Sequence, residues 1–185
     1  MTDGVRIGED DSLAFGFQQM PADVEGADPG LIASANDKMG IYSILDTAST
    51  DILIPGLYYF SFVEKLMAAV FGPDSTAYTL RDATVYSPCQ ANFPNVYLSV
   101  NGYWTQILPT DYVEGLTTGA AECRLRFSQI DSNFMVLGMP WYNGYYIEHS
   151  ASTGETFVAI APHTNSDKVS VSASPAVFAL SLIHI

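Results

Sequence analysis

Positive charge is the scarcest property of this chain: seven Lys and Arg stand against twenty Asp and Glu over 185 residues, a net charge of -13. Nucleic-acid binding needs a basic stripe and an anionic membrane surface a basic patch, so the composition argues against both. Charge of either sign is sparse, at 15%, while apolar residues make up 48%, which is a globular composition and not a disordered one. The length predicts one domain with room for a real core. An acidic surface fits a protein working at low pH, where protonation limits self-repulsion, and fits plain solubility equally well.

Other absences narrow the reading further. No apolar run is long enough to cross a bilayer; the late run Ala176 to Ile185 is short and broken by Ser181 and His184. Met1 to Asp11 is polar and acidic, with no apolar core of a signal peptide, and there is no N-x-[ST] sequon. If the protein is secretory, its targeting segment is expected outside this chain. His149, His163 and His184 are scattered without metal-ligand spacing, so no metal site is expected, and the absence of a G-x-S-x-G elbow leaves a serine hydrolase unsupported. The two cysteines, Cys89 and Cys123, are either one disulfide or two buried thiols, and their number does not decide between these.

What the chain does have is β character around one clear helix. Residues 1–40 hold eight acids and two basic residues and predict one or two strands, with Leu13 to Phe17 as one, and a long acidic connection punctuated by Pro21, Gly26, Pro29 and Gly30. Ile41 to Ile54 reads as two strand pieces around a loop at Asp46. Leu57, Phe60, Val63, Leu66, Met67 and Val70 recur at three and four, an amphipathic helix stopped by Gly72-Pro73. Strand character returns at Tyr78 to Val85. Asn101-Gly102 between Val96 to Val100 and Tyr103 to Leu108 is a strong hairpin signal, and Ser152-Thr153-Gly154 between Tyr145 to Glu148 and Thr156 to Ile160 predicts a second. Cys123 to Ile130 alternates as a strand, Phe134 to Gly138 is a short apolar run ended by glycine, and Met139 to Tyr146 suggests a helical turn followed by a strand. The layout divides as an acidic N-terminal segment over 1–40, a core over 41–163, and a polar Ser-rich linker with a short apolar tail over 164–185.

The stretch most able to carry chemistry is Ile41 to Pro55, I-Y-S-I-L-D-T-A-S-T-D-I-L-I-P. A strand running into Asp46 and Thr47 places a carboxylate at the end of a rigid element, where packing fixes its geometry. The stretch resembles the D-T-G-[ST]-[ST] active-site loop of pepsin-like aspartic peptidases, with Ala48 in place of glycine. From about Leu13 to Pro162 the order of pieces is similar to that family's C-terminal lobe. Pro55 and the helix follow the loop, then come Cys89, Phe93-Pro94-Asn95-Val96, Asn101-Gly102, Leu108-Pro109-Thr110-Asp111-Tyr112, Cys123 and Val136-Leu137-Gly138. Tyr145-Tyr146-Ile147-Glu148-His149 and Phe157 to Pro162 match the closing strands loosely.

The resemblance implies a mostly β lobe, a six-stranded type of barrel or sandwich with one main helix, and an aspartic endopeptidase without cofactors. Peptide hydrolysis there uses two carboxylates sharing one proton, one polarising the carbonyl and the other activating water. Asp46 would be one of them. Thr47 would bond across to the other lobe, Ser49 would reach a carboxylate or the substrate backbone, and Gly138 would let the apolar run pack closely behind the loop. Cys89 and Cys123 would form the lobe's disulfide, implying an oxidising secretory setting, extracellular or an acidic lysosome- or vacuole-like compartment. No second D-T-G copy is present; Asp131-Ser132-Asn133 and Asp74-Ser75-Thr76 read as turns, and the flap tyrosine of the other lobe has no counterpart. The implied partners are a peptide or protein substrate and an N-terminal lobe or a second copy of this chain. Glycine at position 48 would permit close backbone approach, so Ala48 opens the alternative of an inactive pepsin-like binding or structural module. Asp51, where the family has an apolar residue, is expected to face outward. Trp104, Trp141, Tyr142, Tyr145 and Tyr146 are expected in core or rim.

Overall fold

The computed structural model describes residues 2–9, 15–17, 40–73, 75–117, 119–152, 155–168 and 172–173. Thr153-Gly154, Asp74, His184, the tail from Ala176 and the punctuated acidic connection lie outside these.

In chain order the strands are β1 (Thr2–Ile7), β2 (Phe15–Gly16), β3 (Tyr42–Leu45) and β4 (Ile52–Pro55), followed by helix α1 (Gly56–Phe71). Next come β5 (Thr79–Arg81), β6 (Thr84–Pro88), β7 (Val96–Val100), β8 (Tyr103–Ile107), α2 (Pro109–Tyr112), β9 (Val113–Gly115) and β10 (Glu122–Ile130). The chain continues with β11 (Phe134–Leu137), α3 (Met139–Tyr142), β12 (Tyr145–Ser152), β13 (Glu155–Pro162) and β14 (Ser172–Ala173). They form a five-stranded sheet in the order β14-β8-β7-β1-β2, a seven-stranded sheet in the order β3-β11-β4-β10-β6-β5 with β9 also on β10, and the separate ribbon β12-β13. None of the three closes on itself among the described residues. Thr2 and Ile41 exchange two backbone hydrogen bonds, at 2.9 and 3.0 Å, and so join the two large sheets.

The order around β11 positions the site. β11 runs parallel to β3, with Val136 opposite Ile44 and Leu137 opposite Leu45, and meets β4 antiparallel at Val136 and Leu53. The chain therefore leaves β3, loops over the end of β11 through Asp46, and descends as β4, which pairs parallel with β10. Ile52, Ile54, Met135, Leu137, Leu125 and Phe127 are buried beneath this arrangement.

Helix α1 forms where the three-and-four spacing predicts it and ends on Gly72, whose φ of +85° and amide bond to the Ala68 carbonyl terminate it in a conformation that suits glycine. Its buried face differs from the predicted stripe. Tyr58, Tyr59, Phe62, Val63, Leu66 and Met67 are buried, whereas Phe60 is 54% exposed. The two tyrosines enter the core because their hydroxyls find acceptors there, the carbonyls of Phe17 at 2.7 Å and Phe127 at 3.3 Å. A column of edge-on rings links the helix to the sheet: Phe62 to Phe127 at 4.8 Å and Phe93 to Tyr112 at 6.1 Å, with Tyr112 and Phe127 at 5.1 Å between them. The Tyr112 hydroxyl donates to the Pro94 carbonyl at 2.6 Å, which ties the α2 turn to the strand that starts at Val96.

The N-terminal segment contributes a strand inside the five-stranded sheet. Val5 and Ile7 of β1 are buried and pair against β7, and Phe15–Gly16 of β2 pairs on the other side. The residues read as linker also join the fold. Lys168 is buried with its Nζ 3.1 Å from Asp111 Oδ2, and Ser172–Ala173 pairs with Trp104 and Tyr103 of β8. Burial pulls the Lys168 ammonium below its usual range and the Asp111 carboxylate opposes that pull.

Asn101-Gly102 makes its hairpin with both residues at positive φ, +52° and +80°. A second two-residue turn lies inside the stretch read as one strand: Asp82 and Ala83, at φ +48° and +57°, reverse the chain between β5 and β6. Alanine has no reason to prefer that conformation, whereas glycine does. Ala83→Gly is therefore expected to stabilise the fold by about 0.5 to 1 kcal/mol in chemical denaturation.

Asp3 is buried in β1, accepting from the Gly102 amide at 2.8 Å and the Ser99 hydroxyl at 3.4 Å. Burial raises its pKa and these hydrogen bonds only partly offset the rise. A carboxyl with a raised folded-state pKa contributes stability that is fully present below its unfolded value, near pH 4, and is lost as pH climbs through the folded value. In Asp3→Asn this loss disappears, so denaturation curves of variant and wild type should diverge as pH rises from about 4, the wild type falling.

Candidate functional site

The loop from Asp46 to Asp51 is held by bonds to neighbouring strands and by bonds within itself. The Asp46 amide donates to the Leu137 carbonyl at 3.1 Å as the chain passes over β11, and the Ser49 carbonyl accepts from the Met139 amide at 2.9 Å on the far side. Within the loop the Ala48 amide donates to Asp46 Oδ1 at 2.9 Å, holding the carboxylate in an Asx-type turn, and the Ser49 amide reaches the Asp46 carbonyl at 3.3 Å. The Ser49 hydroxyl donates to the Asp51 carbonyl at 3.0 Å, so it braces the loop's own backbone. Asp46 is half-buried at the tip, while Thr47 and Ala48 are exposed.

Gly138 sits directly behind the loop. A methyl group there would collide with the Asp51 carbonyl and come within 2.7 Å of the Ser49 carbonyl. Its φ of -91° is one any residue adopts, so the position demands space and not conformation. Ala48 makes no comparable conflict. It does not take a positive φ and it is exposed, so the loop itself accommodates alanine.

Asp51 corrects the expectation that it faces outward. Its side chain is buried, with Oδ1 2.7 Å from Arg124 Nη2 and Oδ2 accepting from the Ser128 hydroxyl at 2.7 Å. Arg124 also meets Glu114 at 3.2 Å, and Arg126 donates through Nε to the Thr50 carbonyl at 2.8 Å. A carboxylate paired in this way can be buried because its charge is compensated where it lies. Arg124, Arg126 and Ser128 were not singled out from the sequence, although a signal existed: two of the seven basic residues alternate on one face of a strand whose other face is apolar.

The aromatics divide as expected between core and rim. Trp141 is fully buried and donates through Nε1 to the Thr105 hydroxyl at 2.9 Å, while Tyr146 is 62% exposed. The Tyr145 hydroxyl accepts from the Gln106 amide at 2.6 Å. The Tyr142 phenol is pushed above its ordinary range, first by burial and then by the Asp46 charge, so Tyr142 stands within electrostatic reach of the carboxylate. Cys89 and Cys123 are joined in a disulfide that closes a span of 34 residues, anchoring the start of β10 and stabilising by roughly 3 to 4 kcal/mol through restriction of the unfolded chain.

Among the described residues no three His, Cys, Asp or Glu side chains gather as a metal site, and no helix is long and apolar enough to cross a membrane. Asp131-Ser132-Asn133 forms the β10–β11 turn, the Ser132 hydroxyl bonding both backbone groups of Phe134. In comparisons with known proteins, no family model matches the chain and no curated protein matches it significantly.

Gly138→Ala is expected to cost about 2 to 3 kcal/mol in thermal or chemical denaturation, because the backbone carbonyls it meets belong to a loop pinned on both sides.

Proposed function

We propose that the chain is one lobe of a pepsin-like aspartic endopeptidase, with Asp46 supplying one carboxylate of the pair that activates water on a peptide bond. The observation that carries this reading is the presentation of Asp46. A half-exposed carboxylate stands on a loop fixed to two neighbouring strands, next to an exposed hydroxyl and small residues, in the position a second carboxylate could approach. The other acid close in sequence, Asp51, is engaged by Arg124 and Ser128 and does not serve as that second group. The second carboxylate therefore comes from an N-terminal lobe or another copy of this chain. Shared between the two, one proton leaves one acid neutral to polarise the carbonyl and one ionised to take a proton from water. The disulfide fits an oxidising compartment of the secretory pathway.

A second reading, an inactive pepsin-like module that holds peptides or partners, is favoured by the exposed Ala48 methyl, which lies where a partner lobe or substrate would approach.

The two readings part in one assay. In a preparation containing both lobes, a denatured protein should be cleaved at acid pH in a pepstatin-sensitive manner. Asp46→Asn should lower kcat by about a thousandfold or more with KM little changed. Full retention of cleavage in the variant, or no cleavage by the wild type, would turn the assignment to the binding module.

A further inference from the structure

We propose that Asp51 is a positioning residue, which through Arg124 and Ser128 ties the Asp46 loop to β10 and so sets where the Asp46 carboxylate stands. The inference rests on Asp46 being the reactive carboxylate. Two sets of anchors hold the loop, and they differ in kind. Toward β11 the contacts are backbone to backbone, Asp46 to Leu137 and Ser49 to Met139. These lie along one strand end and would act together as a hinge.

Toward β10 the contacts are made by side chains, and they remove that freedom. Both Asp51 oxygens are engaged, one by Arg124 at 2.7 Å and one by Ser128 at 2.7 Å, while Arg126 holds the Thr50 carbonyl. The two Asp51 partners lie four residues apart on β10, on either side of an irregularity in its pairing with β6. A side chain that bonds both spans this break and fixes β4 against it. Glu114 at 3.2 Å from Arg124 Nε and Thr84 at 3.3 Å from the Ser128 hydroxyl hold the partners in turn.

The link to Asp46 is short. The Asp51 carbonyl accepts the Ser49 hydroxyl and lies against Gly138, so a movement of Asp51 moves the Ser49 carbonyl that the Met139 amide holds. Ser49 in turn bonds the Asp46 carbonyl. Because Arg124 compensates the Asp51 charge where it lies, the influence of Asp51 on Asp46 is one of geometry, carried through backbone.

Amide hydrogen exchange on the intact chain tests this. In Asp51→Asn the Met139 amide should exchange about tenfold faster or more, while Val63, Leu66 and Met67 in the middle of α1 keep their wild-type protection. Ser128→Ala, which removes one contact and leaves the ion pair, should give the same pattern more weakly and serves if Asp51→Asn does not fold. Arg124→Lys should keep more of the Met139 protection than Arg124→Gln. In the two-lobe preparation, kcat of Ser128→Ala and Asp51→Asn should fall with KM held, since the substrate cleft is unchanged. Acceleration spread evenly over α1 and the loop, or an unchanged Met139 amide, would overturn the proposal. Selective loosening in a protein without Asp46-dependent proteolysis would sustain the positioning role and remove the peptidase reading. Asp46-dependent proteolysis without loosening would do the reverse.

Discussion

The arrangement on which the rest depends is the passage of the chain over the end of β11. A single short strand is paired on one side with β3 and on the other with β4, so the six residues between those two strands must bridge it. Backbone hydrogen bonds on both sides of the bridge set its height, and Gly138, lacking a side chain, lets it lie against the strand. Asp46 owes its exposure to this crossing. A carboxylate on an ordinary hairpin would be equally exposed but free to move, and one within a strand would be fixed but covered.

Several of the polar groups buried in the molecule enter with a partner. Tyr58, Tyr59 and Tyr112 carry hydroxyls to backbone carbonyls, Trp141 finds Thr105, Asp51 finds Arg124 and Ser128, and Lys168 finds Asp111. With few charges available, the chain places several of them inside, where removal of one partner leaves the other uncompensated. Its interior is therefore specified by polar geometry as well as by apolar packing.

Much of this was legible in the sequence because local chemistry dictates it. Gly72-Pro73 stops a helix and Asn101-Gly102 reverses a strand pair through their own backbone preferences. What was misread depended on partners distant along the chain. The helix buries Tyr58 and Tyr59 in place of Phe60 because Phe17 and Phe127 offer acceptors, which periodicity does not reveal. Asp51 turns inward because a strand more than seventy residues later brings Arg124 to it. Lys168 leaves the linker reading because Asp111 awaits it. The Asp82-Ala83 turn escaped notice for the opposite reason: Ala83 carries no local preference for the conformation it adopts.

The crossing over β11 also dictates the order in which the chain can assemble. β3 and β4 are separated from their shared neighbour by some of the longest sequence distances in the sheet, so the ends of a large loop must close before either pairing repays the lost entropy. During synthesis the segment carrying Asp46 leaves the ribosome long before Phe134–Leu137 exists. The loop can acquire its geometry only once β11 is available, so Asp46 is placed after that strand and not before it. Until then nothing holds the Asp46 side chain in place.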